Sequence, residues 1–240
     1  MVPINDRVVF FASSESLTVS VDTGGTFTDV VLCHRGRVFT HKLASTPADP
    51  AAAVLAGIDA ALAAAGLAPR PGSGAQDVGT RPTVVHGSTV ATNALLEGRG
   101  GRVGFVTTAG FEDTLHIARQ NRPALYALVA RRPDPPLLRE DCVGVTERLR
   151  HDGTVIDALD PASVGRALDR LEGVEAVAVS LLHSYANPSH EKLVGDAIRA
   201  RFPGLHLTLS SELLPEPREY ERASTTVANA VVAPRMGAYV

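Results

Sequence analysis

Strand-like and helix-like segments alternate between residues 83 and 211, and this alternation constrains the fold more than any other feature of the chain. The strand-like segments read TVVHG, RVGFVTT, VEAVAVSLLHS and LHLTLSS. Between them lie the helix-like segments STVATNALLEG, GFEDTLHIARQ, PASVGRALDRLEG and NPSHEKLVGDAIRARFPG. Because such alternation places helices over a mostly parallel sheet, the sequence predicts an α/β fold whose later strands are joined by right-handed crossovers.

An antiparallel meander is predicted ahead of this region. Residues 17–22, 28–33 and 37–43 are β-rich, and Gly24-Gly25 and Arg35-Gly36 stand where hairpin turns would lie. The segment TPADPAAAVLAGIDAALAAAG predicts a helix, and a loop rich in proline, glycine and serine follows. The predicted organisation is a loose extension (1–16) before one region (17–240), which contains the meander (19–43), an α/β region (44–215) and the start of a further helix (216–240).

Charge and composition exclude several classes of partner. The net charge is −3 without a basic run, so neither nucleic acid nor an anionic membrane surface is an expected partner. The sequence has no run of about 18 apolar residues that would cross a membrane. Cys33 and Cys142 match no metal-ligand spacing, which favours two inert thiols in a reducing, cytoplasmic setting.

The stretch SVDTGGTFTDVVL interrupts a good strand with two adjacent glycines and three threonines. Glycines let backbone N–H groups approach a phosphate closely, and Thr23, Thr26 and Thr28 add hydroxyl donors around the same turn. Asp22, at the exit of the strand, would be placed to hold a magnesium ion through its waters. The alternative is a plain hairpin whose glycines supply positive φ. The common nucleotide, zinc and serine-hydrolase signatures are absent from the sequence.

This stretch resembles the first phosphate-binding hairpin of the actin and sugar-kinase ATPase superfamily, in the form found in the hydantoinase A and 5-oxoprolinase family. Further matches to that family are VVHGSTVATNALLEGRGGRVGFVTTAGFEDTLHIARQNRPALY, VAVSLLHSYANPSHE and LSSELLPEPREYERASTTVANAVVAP. The resemblance implies an actin-like (ribonuclease-H-like) ATPase lobe with an N-terminal β-meander and an adjoining α/β region. It also implies an ATP-dependent hydrolase that activates a cyclic amide, such as 5-oxoproline or a hydantoin, by phosphorylation before water attacks.

The resemblance also implies a set of ligand-binding residues. The ATP phosphates and Mg²⁺ would be bound by Asp22, Gly24, Gly25, Thr26 and Thr28, with Asp22 reaching the metal through water. The family includes acetone carboxylase subunits, which apply ATP to a ketone and bicarbonate, so the hairpin does not define the substrate.

The segment HGSTVATN is a second candidate site. Gly87 ends a strand, and Ser88 and Thr89 would open a helix with free N–H groups that could cradle a substrate carbonyl oxygen or phosphate beside His86. The alternative is an ordinary strand-to-helix turn in which Ser88 caps the helix and His86 bonds to backbone.

The segment ARQNRPALY is a third candidate. Arg119 and Arg122 flank the predicted end of a helix, where either could clamp a substrate carboxylate, and with His86 they are the candidate catalytic residues. The alternative is a surface charge that matches the helix dipole. Glu219 and Arg222, three residues apart, are predicted to form an ion pair on a helix surface.

Three interpretations of function follow. The first is the N-terminal ATP-binding part of a cyclic-amide hydrolase that is completed by a second lobe or a hydantoinase B-like subunit. The second is a subunit of an acetone-carboxylase-like enzyme. The third is a noncatalytic assembly module. Family members continue into a second lobe, so we expect this chain to be the front part of something longer or a truncated product, and inactive alone.

Overall fold

The structure is a computed structural model that describes residues 16–46, 49–67, 82–98, 100–121, 124, 126–129 and 134–239. Contacts divide the chain into two units, of which the first ends at Asn93 and the second begins at Ala94. The helix and strand that follow the meander pack with it in the first unit, so this division lies inside the α/β region (44–215) outlined from the sequence.

The first unit contains a four-stranded sheet and one long helix. Its strands run in the order β3-β2-β1-β4, where β2 is antiparallel to both β1 and β3 and β4 is parallel to β1. This arrangement confirms the predicted meander. The elements are β1 (Thr18–Thr23), β2 (Phe27–His34), β3 (Arg37–Ala44), α1 (Pro50–Ala64) and β4 (Thr83–Ser88).

Helix α1 covers one face of this sheet. Alternate residues of β1 and β2 point toward it and form a buried cluster with Ala61, because side chains of a strand alternate between its two faces. The helix begins where predicted, with Pro50 at its first turn and the Asp49 carboxylate accepting the Ala52 N–H at 3.3 Å. The turn between β2 and β3 also lies where predicted, with positive φ at Arg35 and Gly36.

The second unit is a parallel sheet between layers of helices. Its strands run in the order β10-β9-β5-β6, and every neighbouring pair is parallel, which confirms the α/β prediction. Helix α2 (Val90–Leu96) spans the division between the units. The remaining elements are β5 (Val103–Thr108), α3 (Thr114–Ile117), a 3-10 turn (Arg139–Asp141), β6 (Cys142–Val145), β7 (Arg148–Leu149), β8 (Val155–Asp157), α4 (Pro161–Arg170), β9 (Ala176–Ser180), α5 (Ser189–Arg201), β10 (His206–Leu209), α6 (Ser210–Leu213) and α7 (Glu219–Tyr239).

Two buried clusters hold this unit together, one on each face of the sheet. On one face, alternate valines of the strands pack against α4 and α5. On the other face, Phe105 and its neighbours pack against α7 through Val227 and Val231. The fully buried strands β5 and β9 carry almost continuous apolar side chains, as expected for strands covered on both faces.

The predicted helix in GFEDTLHIARQ is much shorter in the structure. Helix α3 has only four residues, because Ala118 has φ 53° and ψ −147° and Gln120 has φ 56°. Neither conformation continues a right-handed helix. The segment that carries Arg119 is therefore irregular backbone and not the last turn of a helix.

The predicted surface pair of Glu219 and Arg222 is wrong in one essential respect, because the Arg222 side chain is fully buried. Its guanidinium donates to the Leu181 carbonyl at 2.7 Å and bonds to the hydroxyls of Ser184 and Ser210. It does bond to Glu219, which is itself 28% exposed. The other partners come from segments far away in sequence, so the spacing of the pair could not reveal them.

Glu191 balances the charge of Arg222 inside this network. It is fully buried, and its Oε1 atom lies 3.5 Å from Nη1 of Arg222. The same carboxylate accepts hydrogen bonds from backbone and hydroxyl groups that follow β9 and β10. A second buried carboxylate, Glu147, bonds to Thr108 and lies 2.7 Å from Nδ1 of His190. The carboxyl ends of the four strands are therefore joined by internal polar bonds.

No helix among the described residues is both long enough and apolar enough to span a bilayer.

Candidate functional site

The turn between β1 and β2 forms the tip of the candidate site. The Gly24 N–H donates to the Phe27 carbonyl at 2.9 Å, which leaves Gly25 and Thr26 exposed at the tip. Neither glycine has a positive φ. The plain-hairpin alternative, in which the glycines supply positive φ, therefore does not explain these two residues.

Close approach explains the glycines instead. A Cβ atom on Gly24 would lie 3.1 Å from the Phe27 carbonyl oxygen, and one on Gly25 would lie 3.0 Å from Nδ2 of Asn93. Both distances are shorter than ordinary carbon contacts. Asn93 is on α2, and the structure places its amide beside the tip. The lack of side chains keeps the backbone N–H groups of Gly25 and Thr26 uncovered.

Hydroxyl groups beneath the tip fix its shape. The Ser45 hydroxyl donates to the Gly24 carbonyl at 2.8 Å and lies 3.0 Å from Oγ1 of Thr28. The Ser45 N–H donates to the Thr26 carbonyl at 2.9 Å. Thr28 is fully buried, and its hydroxyl supports the turn from inside, while its contact with phosphate stays a prediction. The sequence analysis missed Ser45. The register of β2 and β3 pairs Phe27 with Ala44, and this places the next residue, Ser45, beneath the tip.

Asp22 lies in a row of exposed residues that crosses the sheet. In this row it pairs with Asp29 on β2 and with Gly87 on β4, and Asp29 pairs with Lys42 on β3. Lys42 donates to both oxygens of Asp29 at 2.9 Å, so Asp29 is already neutralised. The Asp22 carboxylate has no hydrogen-bond or ion-pair partner among the described residues.

Gly87 leaves open space beside the Asp22 carboxylate. A Cβ atom on Gly87 would lie 3.7 Å from Oδ1 of Asp22, within ordinary contact distance. Gly87 is therefore a neighbour of the hairpin motif as well as part of the second predicted site. A side chain here would stand next to the one exposed carboxylate of the row that has no partner within the described chain.

These residues fit a phosphate with its magnesium ion. Uncovered backbone N–H groups and the exposed Thr26 hydroxyl are donors for phosphate oxygens. Mg²⁺ keeps several of its waters and is commonly held by one or two carboxylates together with substrate phosphates, which a single Asp22 satisfies. The described residues contain no cluster of three or more His, Cys, Asp or Glu side chains that would hold a metal without such phosphates.

The second predicted site differs from expectation at its backbone donors. Strand β4 runs through Ser88, and α2 begins at Val90. The Thr89 N–H donates to the Thr23 carbonyl at 3.0 Å, and the Val90 N–H donates to the Ser88 hydroxyl at 3.2 Å. The N–H groups of Thr89 and Val90 at the start of the helix are thus already bonded, which supports the alternative of an ordinary capped turn. Nε2 of His86 lies 3.1 Å from Oγ1 of Thr23, so the Thr23 hydroxyl helps to position this imidazole.

Arg119 belongs to the second unit and is engaged there. Its Nε donates to Glu221 at 2.7 Å, and its guanidinium lies 5.3 Å from the centre of the Tyr220 ring. The hydrogen bond to Glu221, followed by the charge of that carboxylate, raises the pKa of Arg119 further above its ordinary value. Arg122, the other arginine of the motif, lies outside the described residues.

The chain belongs to the hydantoinase/oxoprolinase family, whose N-terminal-region model matches residues 18–202. Caprolactamase subunit alpha of Pseudomonas jessenii is 36% identical over 236 residues, which are 95% of this chain and 33% of that protein. Acetophenone carboxylase gamma subunit of Aromatoleum aromaticum is 33% identical over 229 residues, which are 89% of this chain and 30% of that protein.

The crystal structure of ATP-dependent caprolactamase from Pseudomonas jessenii has the same fold over most of this chain. Its TM-score is 0.79 at 35% identity, with 92% of this chain and 32% of that chain covered. The chain thus spans about a third of the length of these relatives.

Proposed function

We propose that this chain is the phosphate-binding part of an ATP-dependent hydrolase that activates a cyclic amide by phosphorylation. The observation that carries the proposal is the exposed tip at Gly25 and Thr26 beside the carboxylate of Asp22, for which the described part of the chain supplies no partner. Membership of the hydantoinase/oxoprolinase family and the likeness to an ATP-dependent caprolactamase support it. The strand order β3-β2-β1-β4 supports the finer assignment to an actin-like ATPase lobe.

In this proposal each residue of the tip has a separate role. The N–H groups of Gly25 and Thr26 bind phosphate oxygens, and Asp22 holds the waters of Mg²⁺. Gly87 keeps the space beside Asp22 open, while Ser45 and Thr28 hold the turn rigid from below. ATP supplies a phosphoryl group, which turns the poorly reactive amide oxygen into a better leaving group.

Calorimetric titration of the chain with Mg²⁺–ATP tests this proposal. We expect saturable binding that weakens at least about tenfold in Asp22→Asn and in Gly25→Val, because a charged hydrogen bond contributes about 1.5–3 kcal/mol. Asp29→Asn is the matched control: it removes a neighbouring carboxylate that Lys42 already neutralises, so affinity should stay within about twofold. A chain that binds no Mg²⁺–ATP, or equal binding by all variants, would refute the proposed role of the tip and favour a noncatalytic module.

We further propose that turnover requires the parts of the relatives that lie outside the matched third, in the same or a partner chain such as a hydantoinase B-like subunit. The relatives described as alpha and gamma subunits favour an assembly of this kind. Steady ADP release by the purified 240-residue chain, abolished in Asp22→Asn, would contradict this part. A cytoplasmic setting, predicted from the cysteines, belongs to the same proposal.

A carboxylase subunit is the second candidate function. The observation that favours it is the nearly equal identity to acetophenone carboxylase gamma subunit and to caprolactamase subunit alpha, 33% and 36%. The assembled enzyme distinguishes the two candidates: ADP release that depends on a lactam supports the hydrolase, and release that depends on a ketone with bicarbonate supports the carboxylase.

A further inference from the structure

The second unit contains a cavity that the hairpin does not explain. Its volume is ≈ 370 Å³, near the lower end of the roughly 300–1,000 Å³ that ligand sites occupy. It lies between the end of α3, the segment at Asp134 and the first half of α7. Its lining includes Leu115, Ala118, Arg119, Tyr220 and Val227.

The backbone on one side of this cavity is held in conformations that side chains rarely adopt. Ala118 has φ 53° and ψ −147°, a region populated almost only by glycine, and Gln120 has φ 56°. Such conformations persist where the surrounding structure enforces them, and they concentrate at binding and catalytic sites. Here they turn the chain immediately before and after Arg119, so that Arg119 lines the cavity.

The cavity combines an apolar floor with two charged groups of opposite sign, and His116, Asn121 and Ser224 add uncharged polar side chains to its lining. Leu115 and Val227 are buried and belong to the apolar cluster under α7. Arg119 uses its Nε to bind Glu221, so its two Nη groups remain available as donors. The exposed carboxylate of Asp134 has no partner in the part of the chain that the structure describes, so it remains available as an acceptor.

We propose that this cavity binds a small cyclic amide, with its ring on the apolar floor, its carbonyl accepting from Arg119 and its N–H donating to Asp134. Glu221 already balances the charge of Arg119, so the described residues around the cavity carry no excess positive charge that would favour an anion. A neutral ligand with one donor and one acceptor matches the two charged side chains, Arg119 and Asp134. The choice of a cyclic amide over other neutral amides rests on the proposed function.

Two-dimensional NMR of the ¹⁵N-labelled chain, titrated with ε-caprolactam, tests this site. We expect saturable shifts of the Ala118 and Tyr220 amide resonances with a Kd in the millimolar range, because so small a ligand has few contact atoms. Cycloheptanone keeps the ring and carbonyl but lacks the N–H, so it should bind at least about tenfold more weakly. Asp134→Ala should erase this difference between lactam and ketone.

Ser224→Leu tests whether the cavity itself is the site. Ser224 lines the cavity from α7, so a leucine there should fill it and abolish binding. Thr225→Leu is the matched control, because Thr225 is exposed on the same helix and does not line the cavity. If Ser224→Leu does not fold, as judged by its amide spectrum, Asp134→Ala at the exposed rim decides.

Three outcomes would overturn the proposal. The first is the absence of a saturable shift at cavity residues up to roughly 50 mM lactam, which is tenfold above a millimolar-range Kd. The second is lactam binding that Ser224→Leu leaves unchanged. The third is equal or tighter binding of the ring-opened 6-aminohexanoate. The calorimetric titration with Mg²⁺–ATP measures nucleotide binding at the hairpin independently of lactam binding. If the chain binds Mg²⁺–ATP but not lactam, only the cavity site is refuted. If it binds lactam but not Mg²⁺–ATP, only the role of the hairpin is refuted.

Discussion

The hairpin of the first unit and the strand ends of the second unit both collect polar side chains, but they use them in opposite ways. Asp22 and the tip around Gly25 face solvent, and the carboxylate is left without a protein partner among the described residues. Arg222 and Glu191 are fully buried, and almost every polar atom they carry is bonded within the unit. The difference separates polar groups available to a ligand from polar groups used by the fold.

The largest expected effect comes from breaking the internal network. Arg222→Met leaves the Glu191 carboxylate buried without its counter-charge, which typically costs about 3–5 kcal/mol of unfolding free energy. Urea denaturation followed by circular dichroism measures this loss. The control is Arg199→Met, which removes an exposed arginine paired with Asp196 and should cost less than about 1 kcal/mol. A small effect of Arg222→Met would show that the network does not stabilise the fold.

The second prediction concerns how closely α1 packs on the first sheet. A Cβ atom on Gly57 would lie 2.6 Å from Cγ2 of Val30, so Gly57→Ala should destabilise the chain by about 1–3 kcal/mol through overpacking. Gly165→Ala is the matched control on α4, where nothing lies within 4 Å of the new methyl group. That change should stabilise by about 0.5–1 kcal/mol, since alanine favours helix. Thermal unfolding of both variants should therefore shift in opposite directions, and shifts of the same sign would contradict the packing argument.

A third prediction uses the buried thiol of the second unit. Burial raises the pKa of Cys142 from its ordinary value of 9.0 to about 11. The unfolded chain releases this proton first as the pH rises, so the stability contribution is complete below about pH 9 and is lost between about pH 9 and 11. The unfolding free energy should fall between about pH 8 and pH 10.5. We expect this fall to be about 2 kcal/mol smaller in Cys142→Ala than in the unchanged chain.

Cys33→Ala is the control for this measurement, because Cys33 is only partly buried. It removes the other cysteine, so comparing the two variants separates the effect of the Cys142 thiol from the general effect of losing a cysteine. If Cys142→Ala declines as steeply as the unchanged chain, the thiol does not contribute to the pH dependence.

The smallest effect on stability is expected at the hairpin. Asp22→Asn should change the unfolding free energy by less than about 0.5 kcal/mol, because the carboxylate is exposed and unpartnered within the described chain. The same variant should lose most of its affinity for Mg²⁺–ATP. A clear loss of stability in Asp22→Asn would remove the contrast between the two regions, since it would make this carboxylate part of the fold.

Much of the architecture could be predicted because it is encoded locally. Period-two apolar residues define β1 and β2, and the pair Arg35-Gly36 predicts a turn that the structure contains. The division after Asn93 could not be predicted in this way. It depends on the parallel pairing of β1 with β4, in which Thr18 lies opposite Thr83 across a long stretch of sequence.

The candidate site could be predicted only in part for the same reason. The motif located Asp22 and the two glycines, but it could not show that Thr28 faces inward to Ser45 or that Asn93 limits the space at Gly25. Arg222 is the clearest failure. Its spacing from Glu219 suggests a surface pair, whereas its burial depends on groups as far away as Leu181, 41 residues earlier.

The internal network also bears on the order in which the chain acquires its structure during synthesis. Glu191 leaves the ribosome 31 residues before Arg222, a delay of roughly 2–6 s at about 5–20 residues per second. During that interval the carboxylate has no arginine to neutralise it, and because burying an unpaired charge is costly, closure of β9, α5 and β10 around it is disfavoured. The strands and the long helix of the first unit leave the ribosome long before Arg222, so the second unit is completed later in synthesis.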